Sequence, residues 1–377
     1  MKFATAILLL TASNSVVAET NSSIRKRDLE AKINAKMEAR AEGKSGKASK
    51  TSKSSKASKS SSSSSDDTCA ATTKPVAGAN PCAGTKIEIP NEDCFVDGEI
   101  VVNVQSGTDV TYGYAGNLET DGVEPFTDPY FMSTMCPVNV HWHLGAEHRS
   151  EGQYDEDGVG PDERRLAEGA RLGLRCHHYD AEDPKFTEEY DWKYCVDMHV
   201  GETYEVHWPH SAAGDCGTVN QFQTPFYDGV FCNAERLDLT KLPEQVGVQG
   251  QVFTIVNDED YYWPDMMRGM IVDADLEMGV EITKYTGSTT GTSRDNEVCS
   301  GYTPITWQVD RTCHMVSASS FDKMCADMLS QRDDMSDDLY AHGARELVIS
   351  DLAADNHVWD RKTEEKTDKR VFRMVYD

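Results

Sequence analysis

Eleven histidines occur in this 377-residue chain. None precedes position 141, and then they crowd: His141, His143, His148, His177, His178, His199, His207 and His210. The densest run is Val140-His141-Trp142-His143-Leu144-Gly145-Ala146-Glu147-His148. On a β-strand, residues i and i+2 point to the same face, so His141 and His143 can reach one ion. A tetrahedral catalytic zinc takes three protein ligands and leaves its fourth position to water. The third ligand must then come from a neighbouring strand, and Glu205-Val206-His207-Trp208 offers His207. Glu205, two positions earlier on the same strand face, can accept the second N–H of a ligating imidazole and fix its tautomer. His148 competes for this place. It follows the first pair across Gly145, where the strand can bend, and no acid stands at the matching spacing. An H-x-H pair alone is as often structural as metal-binding; the E-x-H strand downstream turns the reading towards a metal.

The elements carrying these residues are strands. Short alternating apolar runs recur at 99–104, 138–143, 251–256 and 305–309, rich in β-branched residues and separated by Pro and Gly. One helix stands out: Ser319 or Ser320 caps it, and Phe321, Met324, Cys325, Met328 and Leu329 form an i, i+3, i+4, i+7, i+8 stripe. There is no βαβ alternation and no internal repeat. The pattern predicts a mainly β (α+β) domain, with a central twisted, mostly antiparallel sheet and helices at its periphery.

Residues 1–18 read as a secretory signal: Lys2 is the charged start, Ala6 to Leu10 the apolar run, and Val16-Val17-Ala18 the cleavage site. That run is far short of the roughly 20 apolar residues that span a bilayer, and nothing later reaches that length. A secreted protein without a transmembrane segment is expected. Residues 19–68 form a Lys/Ser-rich linker or pro-segment, with Arg25-Lys26-Arg27 as a processing site, and carry too little apolar surface to order. Its basic stretch, residues 44–65, suits contact with an anionic surface such as a cell wall. The folded, catalytic part is expected at 69–377. Eleven cysteines, all from Cys69 to Cys325 and none in a C-x-x-C pair, predict disulfides over thiolate metal sites. A net charge of −27 argues against nucleic acid as a partner.

Cys136-Pro137-Val138-Asn139-Val140-His141-Trp142-His143-Leu144-Gly145-Ala146-Glu147-His148 resembles the signature stretch of the δ-class carbonic anhydrases of marine microalgae. The site motifs are also similar to those of the α class, H-x-H-W-G, E-H and E-x-H-x-x-H. Glu147-His148 matches the second, and Glu205-Val206-His207-Trp208-Pro209-His210 the third. Tyr285-Thr286-Gly287-Ser288-Thr289-Thr290 resembles the α-class loop that carries a gatekeeper threonine, and Thr306-Trp307 the strand behind the active site. Together these cover most of residues 94–330 in the family's order.

The resemblance implies an α-carbonic-anhydrase-like fold and reversible hydration of CO₂ to bicarbonate by attack of zinc-bound hydroxide. It implies Zn²⁺ on His141, His143 and His207. Thr290 would accept the hydroxide proton and donate its own to Glu147, with Glu205 and His148 supporting the ligands. Three departures stand out. The interval from His143 to His207 is longer than in the α class, so residues 150–200 look like an insertion. Gly291-Thr292-Ser293 follows Thr290 where the α class has a double proline. No histidine precedes the H-x-H strand, where the α-class proton shuttle lies; His177, His178 and His199 are available as relays, and none is singled out.

Two other readings compete. His141, His143 and Glu147 fit the first motif of a cupin-type metal oxygenase or isomerase, with Glu147 as a ligand and iron or manganese as the metal, although no P-x-G-x-x-H segment follows. A non-enzymatic, cell-wall-associated protein would use the Lys/Ser arm as its working part.

Overall fold

The computed structural model describes residues 95–96, 99–100, 107–120, 122–164, 166, 171–213, 237–288, 304–331 and 339–359. The expected leader at 1–18, the basic arm at 19–68 and Thr290 all lie outside the described residues.

Seven strands form one mixed sheet. They are β1 (Cys136–Pro137), β2 (His141–Leu144), β5 (Thr203–Ser211), β6 (Val246–Val256), β7 (Ile282–Gly287), β8 (Ile305–Ser317) and β9 (Val358–Trp359). The order is β9-β7-β8-β6-β5, with β1 and β2 both pairing along the free edge of β5. Only β6 and β8 run parallel; the other pairings are antiparallel, as the alternating pattern predicts. Of the expected strand at 99–104, Glu99–Ile100 is described, paired with Phe95–Val96.

Period-2 alternation divides the two faces. Trp142, Leu144, Tyr204, Val206, Trp208, Phe253 and Ile255 join one apolar cluster. Helix α1 (Ala318–Gln331) covers it. Its stripe residues Phe321, Met324, Cys325 and Met328 are buried there, with the Phe321 ring edge-on to Trp142 at 5.7 Å between centroids. The helix begins earlier than Ser319 or Ser320 suggested. β8 runs straight into it, and the Ser317 hydroxyl accepts the backbone N–H of Ser320 at 3.2 Å, so Ser317 is the cap.

The interval expected as an insertion is stitched into the domain. Its hairpin, β3 (Tyr154–Asp155) with β4 (Arg175–Cys176), is joined to β8 by the Cys176–Cys313 disulfide. Cys195–Cys325 ties a later stretch to α1, and Cys136 is disulfide-bonded too. The Asp322 carboxylate accepts the backbone N–H groups of Lys193, Tyr194 and Cys195. Among the described residues, no helix is long and apolar enough to cross a membrane.

Candidate metal centre

Opposite the helix-covered face, the histidines converge. β2 and β5 pair antiparallel with His141 opposite His207 and His143 opposite Glu205. All four side chains therefore point to the same side of the sheet, and all are buried. One nitrogen from each of His141, His143 and His207 lies within 4.8 Å of the others. Ring centroids are 5.2 Å apart for His141–His143 and His141–His207, and 4.6 Å for His143–His207. On β6, Gly250 faces His207. A Cβ there would come within 3.1 Å of Glu205 Oε1, so the glycine makes room for the carboxylate.

Glu205 organises the centre. Its Oε1 accepts His207 Nε2–H at 2.9 Å and His148 Nδ1–H at 2.5 Å. Its Oε2 accepts the backbone N–H groups of Glu147 at 2.5 Å and His148 at 3.2 Å. Burial pushes its carboxyl up, but His148 and His207 outweigh that and hold it well below its ordinary value. The bond from Nε2 fixes the His207 tautomer. Nδ1 is then a buried lone pair, without a hydrogen-bond partner among the described residues.

His143 is fixed from another direction. Its Nδ1–H donates to the Gly343 carbonyl at 2.8 Å, which leaves Nε2 as the nitrogen that could hold a metal. Burial, opposed by Glu147, lowers its pKa to about 4, so the imidazole is neutral near pH 7. Three imidazoles with converging nitrogens suit a divalent borderline ion of the zinc type.

His148 does not join them. Its Nδ1 is committed to Glu205, and its Nε2 accepts the Tyr285 hydroxyl at 2.7 Å. Gly145, at φ +83°, turns the chain after β2 and carries Glu147-His148 behind the three histidines. The His148, Glu205 and His207 side chains also approach within ligand spacing of one another, as a closed hydrogen-bonded network. Trp307, fully buried, backs both rings, 5.3 Å from His148 and 5.1 Å from His207.

Glu147 is fully buried, with Oε1 accepting the Arg345 backbone N–H at 2.8 Å and lying 3.3 Å from His143 Nδ1. Burial pushes its carboxyl up, but His143, His207 and Arg345 win and bring it below its ordinary value. A cupin-type site would make Glu147 a ligand. Among the described residues, the ligand-spaced group around His141 and His143 takes His207 as its third member.

Residues 342–345 belong to the site and are absent from the motif set. His342 runs beside β2, its N–H donating to the Trp142 carbonyl at 2.7 Å and its carbonyl accepting Leu144 N–H at 2.9 Å. Its half-buried ring stacks on His141 at 5.2 Å and 23°. Gly343 then holds His143, and Arg345 holds Glu147. The only sequence signal was one more histidine, far from the others. Of the proposed relays, His177 bonds Asp155 through Nε2 at 2.8 Å, His178 lies beside the Cys176–Cys313 disulfide, and the His199 backbone N–H donates to the Tyr204 hydroxyl at 3.0 Å.

A family model described as "Delta carbonic anhydrase" matches residues 132–320. No curated protein sequence matches the chain. Among solved structures, an alpha-carbonic anhydrase from Thermovibrio ammonificans in complex with the inhibitor sulfanilamide aligns at 12% identity. The alignment covers 67% of this chain and 85% of that one, with a TM-score of 0.25, too loose a likeness to carry weight.

Proposed function

The chain belongs to the delta carbonic anhydrase family, and from that premise we propose that it hydrates CO₂ reversibly with a zinc ion held by His141, His143 and His207. The observation that supports this most is the cross-strand placement of the three imidazoles, with their nitrogens within 4.8 Å of one another and each pairing strand fixed in register. When bound there, zinc acts as a Lewis acid that brings the pKa of coordinated water to about 7, the general figure for carbonic anhydrases.

The chain's own residues do the rest. Glu205 and the Gly343 carbonyl hold His207 and His143 in the tautomers that present Nδ1 and Nε2. Glu147, buried and ionised, is the acceptor placed to orient a hydroxyl donor beside the ligands, and Thr290 is our proposed donor. Trp307, Tyr285 and the β-sheet exclude bulk water from the back of the site.

Stopped-flow CO₂ hydration by the full chain, alongside metal analysis, tests this. We expect about one zinc per chain, and activity lost on chelation and restored by zinc. Iron in place of zinc, or hydration that survives complete metal removal, would overturn it.

Glu205→Gln gives a second test. A glutamine keeps the shape, but its amide NH₂ faces N–H donors that the carboxylate now accepts. Groups behind a ligating histidine are typically worth about 10–100-fold in metal affinity. Zinc affinity measured by chelator competition should fall by about that factor, while an unchanged affinity would remove Glu205 from the centre.

A further inference from the structure

Away from the three-histidine centre, one disulfide shares its surroundings with an imidazole. Cys176 ends β4, and Cys313 follows the register shift in β8. One ring nitrogen of His178 and the two sulfurs all lie within 4.8 Å of one another. The cysteines are 1% and 4% exposed. His178 donates a ring N–H to the backbone carbonyl of His314, and its Nδ1 is buried without a hydrogen-bond partner among the described residues. That is how a metal-ligating histidine is usually held: one nitrogen bonded to a carbonyl, which fixes the tautomer, and the other left with its lone pair. Packing alone would leave this buried nitrogen with nothing to accept, because an intact disulfide has no proton to donate.

We propose that Cys176, His178 and Cys313 form a second zinc site, filled when the Cys176–Cys313 disulfide is reduced. A small dithiol passes two electrons and two protons to the disulfide and becomes a disulfide itself; the two cysteines are left as thiols. Zinc then displaces both thiol protons and binds two thiolates and the imidazole, with water in the fourth position. The donor set differs from that of the catalytic centre, which has no sulfur.

The site would also keep a staple in place. Leu174, two residues before Cys176, exchanges backbone hydrogen bonds with Ala146 at 2.8 and 2.9 Å, next to Glu147. Sulfur–zinc–sulfur bridging would hold this hairpin to β8 after the covalent link is gone.

Cobalt(II) distinguishes the two sites, since only thiolate ligands give an intense near-ultraviolet charge-transfer band. The full chain, freed of metal and loaded with cobalt, should lack this band when oxidised. After treatment with a phosphine reductant it should gain the band together with about one extra cobalt per chain. His178→Ala, which keeps both cysteines, should bind that extra cobalt at least tenfold more weakly, and Cys176→Ser with Cys313→Ser should abolish the band. His207→Ala should leave it intact, so failure of the catalytic-zinc reading would not remove it. The proposal is overturned by a band of equal strength in the double-serine chain, or by His178→Ala binding as tightly as the parent. It is equally overturned if circular dichroism shows that the reduced chain unfolds and cobalt does not restore it.

Discussion

His207→Ala is expected to abolish both zinc binding and CO₂ hydration. The apparent binding free energy of a four-coordinate protein zinc is about 10–16 kcal/mol. Shared among four ligands, this is about 2.5–4 kcal/mol each, or about 10²–10³-fold in affinity. The remaining pair, His141 and His143, lie on one short strand and cannot enclose an ion. Nor is a replacement at hand. His148 has Nδ1 on Glu205 and Nε2 on Tyr285, and turning it would break both bonds within a fully buried network. Metal analysis and stopped-flow hydration should fall together, with the unfolding midpoint measured as a control. Unchanged zinc content in this variant would hand the third position to His148 and refute the ligand set.

The pairing of the two histidine strands was legible because H-x-H and E-x-H are both period-2 patterns, and a sheet aligns such patterns face to face. What the pattern could not convey was depth. A strand alternating histidine with Trp142 and Leu144 reads as half-buried, yet every residue of β2 and β5 is buried, because the site lies inside the domain. The strands at 251–256 and 305–309 run longer than their apolar runs for a related reason. Polar residues interrupt the apolar runs at Gln249, Gln251 and Asp310, which looked like strand ends. They are interior hydrogen-bonding groups: Gln249 and Gln251 accept the backbone N–H groups of Met270 and Ile271, and the Asp310 carboxylate accepts from Gln251, Gly279 and His314. Local pattern cannot tell a polar residue with a distant partner from one facing water. Residues 342–345 escaped for the same reason. Gly343 acts through a backbone carbonyl that any residue type carries, and Arg345 through its backbone N–H as well as its charge, across about 200 positions of chain.

Glu147→Gln should separate metal binding from catalysis. The glutamine carbonyl can still accept the Arg345 backbone N–H, so the 2.8 Å contact and the turn after Gly145 should survive. What disappears is a negative charge and an acceptor, replaced on one side by an N–H₂ that can only donate. That charge is present at neutral pH in the parent, because the carboxyl titrates below its ordinary value. A hydroxyl that must donate to residue 147 in order to orient the reacting oxygen would then meet a donor. Removing one such preorganised polar contact in a buried site typically costs about 10²–10³-fold in turnover. We expect zinc content near that of the parent and hydration lower by about that factor. Loss of the metal would instead make Glu147 a ligand, the carboxylate arrangement of a cupin-type centre. Full activity with full metal would leave the residue as a buried brace for the 342–345 segment, since only a group that works on the reacting oxygen loses rate without losing the ion.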